Sequence, residues 1–273
     1  MTLNRVNTVQ LMPVLRSELL ALLEGLRRDE WQAPTPCPGW SVHAVACHLL
    51  GVELGNVSAR RDGWKLVPSD DGDADAWLNA FNQQWVEATR RISPALLIEL
   101  LSLAGERFEQ HIATLDLDAM GGPVRWATAD NPAPVWLDVA REYMERFVHQ
   151  YQVREAVGRP ALAPHLLAPV LATAVHALPQ ALAQVDRSAG TCVLFSAEGE
   201  GGGTWGVLRT TNGWELVDWE LTADCTRPPA CEVRTTVDGA LGLLVRDPTA
   251  PTLDWHGDPE LARAVGTAKA VLG

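Results

Sequence analysis

A mixed helix-and-sheet protein of two domains, α+β in class, is predicted by three features of the sequence. Its 273 residues suffice for about two domains. The first 158 residues carry apolar positions at helical spacing, separated by loops rich in proline and glycine. The remainder changes to short apolar runs broken by turn signals. This reading gives a helical bundle over 1–160 and an α+β domain with an antiparallel sheet over 161–273.

In the first half, Leu11, Val14, Leu15, Leu19, Leu22 and Leu26 follow the 3.6-residue period of one helix. Trp31 to Trp40 is a loop, because Pro34, Pro36 and Pro38 cannot continue a helix. Ser41 is placed to cap a second helix, from Val42 to about Arg60, by accepting an exposed helical N–H. A third helix spans about Asp73 to Ile92 with Asp73 as its cap, and Ser93-Pro94 opens a fourth that runs to about Thr114. Residues 115–133 read as a loop. The last bundle helix runs from near Pro134 to just before Gly158, with Pro160 beyond. Long helices joined by loops favour a bundle.

From Pro160 to Val185 there is no Lys, Arg, Asp or Glu, a length that would span a bilayer. Four prolines interrupt it, and Leu167, Leu171, Leu178 and Leu182 recur at helical spacing, so it reads as an amphipathic helix over about 165–184. Strands follow at 191–196, 204–210 and 214–221, the last two joined by the hairpin signal Asn212-Gly213. Glu198 to Gly203 is rich in glycine but lacks the Lys-Ser/Thr of a phosphate loop, and reads as a turn. A strand at 231–237, a short helix at 238–245, a strand closing near Trp255 and a final helix opened by Asp258-Pro259 complete the chain.

Hydrophobic residues at 47% and charged residues at 21% exclude disorder over most of the length. With 22 basic against 34 acidic residues the net charge is -12, and no basic run occurs. Nucleic acid and anionic membranes are therefore poor partners, and small molecules the better expectation. Five cysteines, an odd number without a Cys-x-x-Cys, indicate neither a disulfide framework nor a cysteine zinc site. No signal peptide is seen, so the expected location is the cytoplasm.

The candidates for chemistry are histidines. His48 falls among Val45, Leu49 and Val52 on the inward face of the second helix, while His43, five residues earlier, points elsewhere. Glu145 and His149 are four apart, one helical turn on one face. Together His48, Glu145 and His149 make a His2Glu set, which can hold a catalytic zinc with one position open. The same residues also fit a core histidine and a solvated polar stripe of Glu142, Glu145, His149 and Gln152. No Gly-x-Ser-x-Gly elbow supports a serine hydrolase. Cys47 reads as core packing, and the 11 tryptophans as core or pocket lining.

The stretch from Pro36 to Leu49, with Cys37-Pro38-Gly39-Trp40 and then His48, resembles the signature of DinB-like four-helix-bundle metalloenzymes. It is most similar to the mycothiol-dependent maleylpyruvate isomerase family. Glu145, His149, Ala156 and Gly158 match that family's second motif, and Trp255 to Leu261 resembles the end of its sterol-carrier-like C-terminal domain. The resemblance implies a divalent metal, typically zinc, on His48, Glu145 and His149. It implies a low-molecular-weight thiol such as mycothiol as cosubstrate, and isomerisation of, or S-transfer to, a small electrophile such as maleylpyruvate. It also implies a catalytic arginine from the C-terminal domain, for which Arg246 is the candidate. The family commonly has Trp-Asp where Tyr151 and Gln152 stand here. The alternative is a non-catalytic metal- or small-ligand-binding protein of the same fold, and a further one is an apolar ligand carried by the C-terminal domain.

Overall fold

The computed structural model describes residues 5–64, 74–220, 222, 228–245 and 253–270. Helix α1 (Met12–Glu24) buries Met12, Leu15, Leu19, Leu22 and Leu23. Helix α2 (Val42–Asn56) starts where the prolines end, with Ser41 Oγ accepting the Ala44 N–H as its cap. It loosens into a π turn over Val57–Arg61 instead of continuing as α-helix. Helix α3 (Ala74–Thr89) ends earlier than its pattern suggested, and its expected cap, Asp73, lies outside the described residues. Helix α4 (Pro94–Ile112) is capped by Ser93, as its Ser-Pro start predicts.

The stretch read as a loop before the last bundle helix contains one short turn, α5 (Arg125–Thr128). Trp126 and Trp136 pack against Val124, Ala133 and Leu137 there, a local cluster too short to register as periodicity. Helix α6 (Val135–Ala156) follows. Helices α1, α2, α4 and α6 share one core, to which they bring Leu19 and Leu23, Val45 and Leu49, Leu97 and Leu101, and Val153. This is a four-helix bundle.

By internal contacts, Thr8–Asp116 and Glu145–Leu162 form one unit, while Leu117–Met144 and Ala163–Leu272 form another. Helix α6 thus contributes its residues through Met144 to one unit and from Glu145 onward to the other.

In the second unit the single helix expected over 165–184 is broken. Helix α7 (Pro164–Ala174) passes through a 3-10 turn at Val175–Ala177 into α8 (Leu178–Leu182). Pro179 has no N–H to offer the carbonyl four residues back, so the α-helical ladder is interrupted there. Pro164–Leu182 has the length and mean hydropathy, 1.3, to cross a membrane, but half of its apolar window is buried within the fold.

The strands are β1 (Cys192–Glu198), β2 (Gly203–Thr210), β3 (Gly213–Val217), β4 (Cys231–Thr236) and β5 (Asp254–Gly257), in the order β3-β2-β1-β4-β5. Helix α9 (Val237–Leu244) follows β4, and α10 (Pro259–Val265) follows β5. The β2–β3 turn uses Gly213 at φ +142°, and Asp258 caps α10 through the Glu260 and Leu261 N–H groups. The sheet is not wholly antiparallel: β1 and β4 pair in parallel, with Val193 opposite Cys231. After β3 the chain returns to the end of the sheet where β1 begins, so β4 enters in the same direction. Cys37, Cys47 and Cys231 are free thiols, whereas Cys192 is disulfide-bonded. An odd total excludes complete pairing but not a single bridge.

His176, on the 3-10 turn, packs edge-on to Trp136 at 5.5 Å, and its Nε2 has no hydrogen-bond partner among the described residues. Burial pushes its pKa down to about 4. The unfolded chain takes up the proton near pH 6.5, the folded one only near 4, so stability falls as the pH drops through that window. Between pH 6.5 and 5 this residue should remove about 2 kcal/mol. Urea titrations of His176→Phe at pH 7 and 5 should show a smaller difference than the parent protein does.

Candidate metal centre

The proline loop closes on itself before α2. Val42 N–H donates to the Ala33 carbonyl, Thr35 N–H to that of Trp40, and Trp40 N–H to that of Cys37. Gly39 adopts φ +80°, which a side chain disfavours, and lets the turn close. Trp40 is thereby set beside the first residue of interest, its ring 4.9 Å from that of His48 and 6.5 Å from that of His149. Its Nε1–H donates to Gln83 Oε1 on α3 at 2.8 Å.

His48 projects from α2 towards α6. Its Nε2 lies 3.0 Å from Glu145 Oε1, and His149 Nε2 lies 3.1 Å from the same oxygen. One ligand atom from each of the three residues falls within 4.8 Å of the other two. All three are largely shielded, with side-chain exposures of 5%, 13% and 13%. The structure therefore brings together the three residues named from the sequence, on two helices whose contributions are 97 positions apart. Arg246 lies outside the described residues. His43 is directed away, with Nε2 2.8 Å from the Ile92 carbonyl, and Cys47 turns with it, Sγ 3.6 Å from His43 Nδ1.

Electrostatics follow from this packing. Burial would raise the Glu145 carboxyl, but the charge of His149 and hydrogen bonds from both imidazoles hold it well below the usual carboxylate range. Burial disfavours a charged His149, yet Glu145 outweighs it and lifts the pKa to about 10. His48 goes the other way, because burial dominates and lowers its pKa.

Two features surround the site: the sequence put Gln152 on one stripe with His149 without showing its contacts, and gave no sign of the second. Gln152, three residues after His149 on the same helix face, places Oε1 2.8 Å from His149 Nδ1 and 3.0 Å from Cys37 Sγ. On the next face of α6, Arg146 forms a two-pronged ion pair with Glu53, at 2.8 and 3.0 Å, and lies 4.3 Å over the Phe108 ring. The i,i+3 spacing of His149 and Gln152 is what put them on one stripe, whereas nothing local pointed to Cys37. Nothing local links Glu53 to Arg146.

The sequence profile of the mycothiol maleylpyruvate isomerase N-terminal domain matches residues 13–154. The chain belongs to that family. The fold agrees: a crystal structure of the mycothiol-dependent maleylpyruvate isomerase aligns with TM-score 0.54 at 12% identity, over 90% of each chain. A point-substituted form of that enzyme aligns with TM-score 0.53 at the same identity and coverage. At this identity the likeness is one of fold. No curated protein sequence matches the chain.

The donor set fits a divalent cation. Two imidazole nitrogens and one carboxylate oxygen suit zinc. Donors held at about 2.0–2.1 Å in a tetrahedron sit about 3.3 Å apart, close to the 3.0 and 3.1 Å that separate the two imidazoles from Glu145 Oε1. Three acceptor-capable atoms pointed at one another in a shielded position make a poor packing arrangement unless something positive, a proton or a cation, lies among them.

Proposed function

We propose that the protein is a metal-dependent enzyme that uses a low-molecular-weight thiol of the mycothiol type on a small electrophile such as maleylpyruvate. The observation that carries this reading is the convergence of His48, Glu145 and His149 within 4.8 Å in a chain of this family. A divalent cation held there, zinc by the donor chemistry, would keep net positive charge and favour the thiolate form of a thiol, the nucleophile needed to saturate and release an electron-poor double bond.

The residues of the chain have separable tasks. Glu145 supplies the single negative charge of the set. His48, disfavoured as a cation by burial, presents a neutral imidazole. Three protein donors leave a further position for an exogenous ligand. Trp40 walls one side of the imidazoles and limits water there.

The test is metal stoichiometry on protein purified without chelator, followed by the rate of maleylpyruvate isomerisation with and without mycothiol. One equivalent of metal and a rate that requires both metal and thiol are the expected results. A fully loaded protein with no rate on any thiol and electrophile pair would favour the binding-protein alternative.

A further inference from the structure

We propose that Gln152 is a positioning residue that holds His149 in its ligating tautomer, with the Cys37 thiol fixing the orientation of the Gln152 amide. This rests on the metal reading above. Gln152 Oε1 lies 2.8 Å from His149 Nδ1 and 3.0 Å from Cys37 Sγ. An amide oxygen only accepts, so both neighbours donate: the imidazole carries a proton on Nδ1 and the thiol gives its S–H. Turned over, the amide would present its NH2 group to both neighbours. The thiol is a weak donor and a weaker acceptor, so it favours the oxygen on its side.

With Nδ1 committed to the amide, the lone pair of Nε2 is the one left for a cation. Nε2 faces the shared Glu145 oxygen at 3.1 Å, where His48 Nε2 also arrives at 3.0 Å. The partner on Nδ1 is uncharged, so the ring is oriented without a second negative charge beside the site. Cys37 belongs to the loop closed by Thr35 and Trp40, which ties the conformation of that loop to the orientation of His149. Partners outside the ligand set commonly govern metal affinity in this way.

The experiment compares the parent protein with Gln152→Leu, Gln152→Glu and Cys37→Ala. Long-range imidazole nitrogen–proton spectra of the metal-free proteins report whether the His149 Nδ1–H is hydrogen-bonded and protected from exchange. Zn2+ affinity is measured by chelator competition, and Co2+ absorption reports ligand geometry. The parent should show a hydrogen-bonded Nδ1–H. Gln152→Leu should lose it, bind Zn2+ about 10–100-fold more weakly, and give an altered Co2+ spectrum with unchanged helix content. Gln152→Glu keeps the acceptor and should recover both the Nδ1–H and the affinity, and Cys37→Ala should fall between.

A parent whose Nδ1–H is not hydrogen-bonded, or a Gln152→Leu protein with parental affinity and Co2+ spectrum, would overturn the proposal. A parent that shows the Nδ1–H but binds no Zn2+ or Co2+ would instead overturn the metal reading, and with it any ligating purpose for the tautomer.

Discussion

Replacing Glu145 with alanine should empty the metal centre. The substitution removes the one anionic donor, which stands 3.0 and 3.1 Å from the two imidazoles. Losing a direct ligand should cost more than the roughly 10–100-fold that follows loss of an outlying partner. Metal should drop from one equivalent to a trace, and the thiol-dependent rate should vanish with it. Glu145→Gln keeps the volume but not the charge, and should also lose most of the metal. Full occupancy in Glu145→Ala would take this residue out of the site.

The same geometry fixes a pH dependence. His149 is raised to about 10, so in the metal-free protein it holds a proton at neutral pH that a cation must displace. Lower pH strengthens the competing proton, so Zn2+ affinity should weaken by up to about tenfold per unit between pH 9 and 7. In Glu145→Ala the cause of the raised pKa is gone, and the residual affinity should depend less on pH over that range.

The second large effect is expected inside the bundle. Glu53 and Arg146 have side-chain exposures of only 10% and 9% and neutralise each other at 2.8 Å. Glu53→Ala takes from the buried guanidinium the carboxylate that it meets at 2.8 Å, which costs about 3–5 kcal/mol. For a protein of this size that should lower the thermal midpoint by about 10 °C. The double substitution Glu53→Leu with Arg146→Met removes both charges at similar volume and should recover most of the loss. If Glu53→Ala unfolds at the parental midpoint, the pair contributes little and Arg146 is solvated by other means.

Much of the molecule is written in short stretches of its sequence. Ser41 and Ser93 cap the helices that follow them, because a hydroxyl beside free helical N–H groups needs no distant partner. Asn212-Gly213 makes the β2–β3 turn, because glycine alone adopts its backbone angle without strain. Glu145 and His149 share a face because 3.6 residues make a turn, and that arithmetic holds for any α-helix. The inward placement of His48 followed from the same periodicity.

What periodicity could not convey is which faces meet. The polar stripe on α6 looked as suited to water as to a metal, and only the arrival of α2 brings His48 against it and shields it. Gln152 and Cys37 are joined across 115 positions, and Glu53 and Arg146 across 93. The parallel pairing of β1 and β4, and the break between α7 and α8, likewise depend on where the chain returns and on one missing N–H. Local backbone chemistry determined the elements, their caps and the spacing of Glu145 and His149. The convergence of His48, Glu145 and His149, its shielding from water and its shifted proton affinities were decided by tertiary packing, because burial and Coulombic attraction act through space and have no period along the chain.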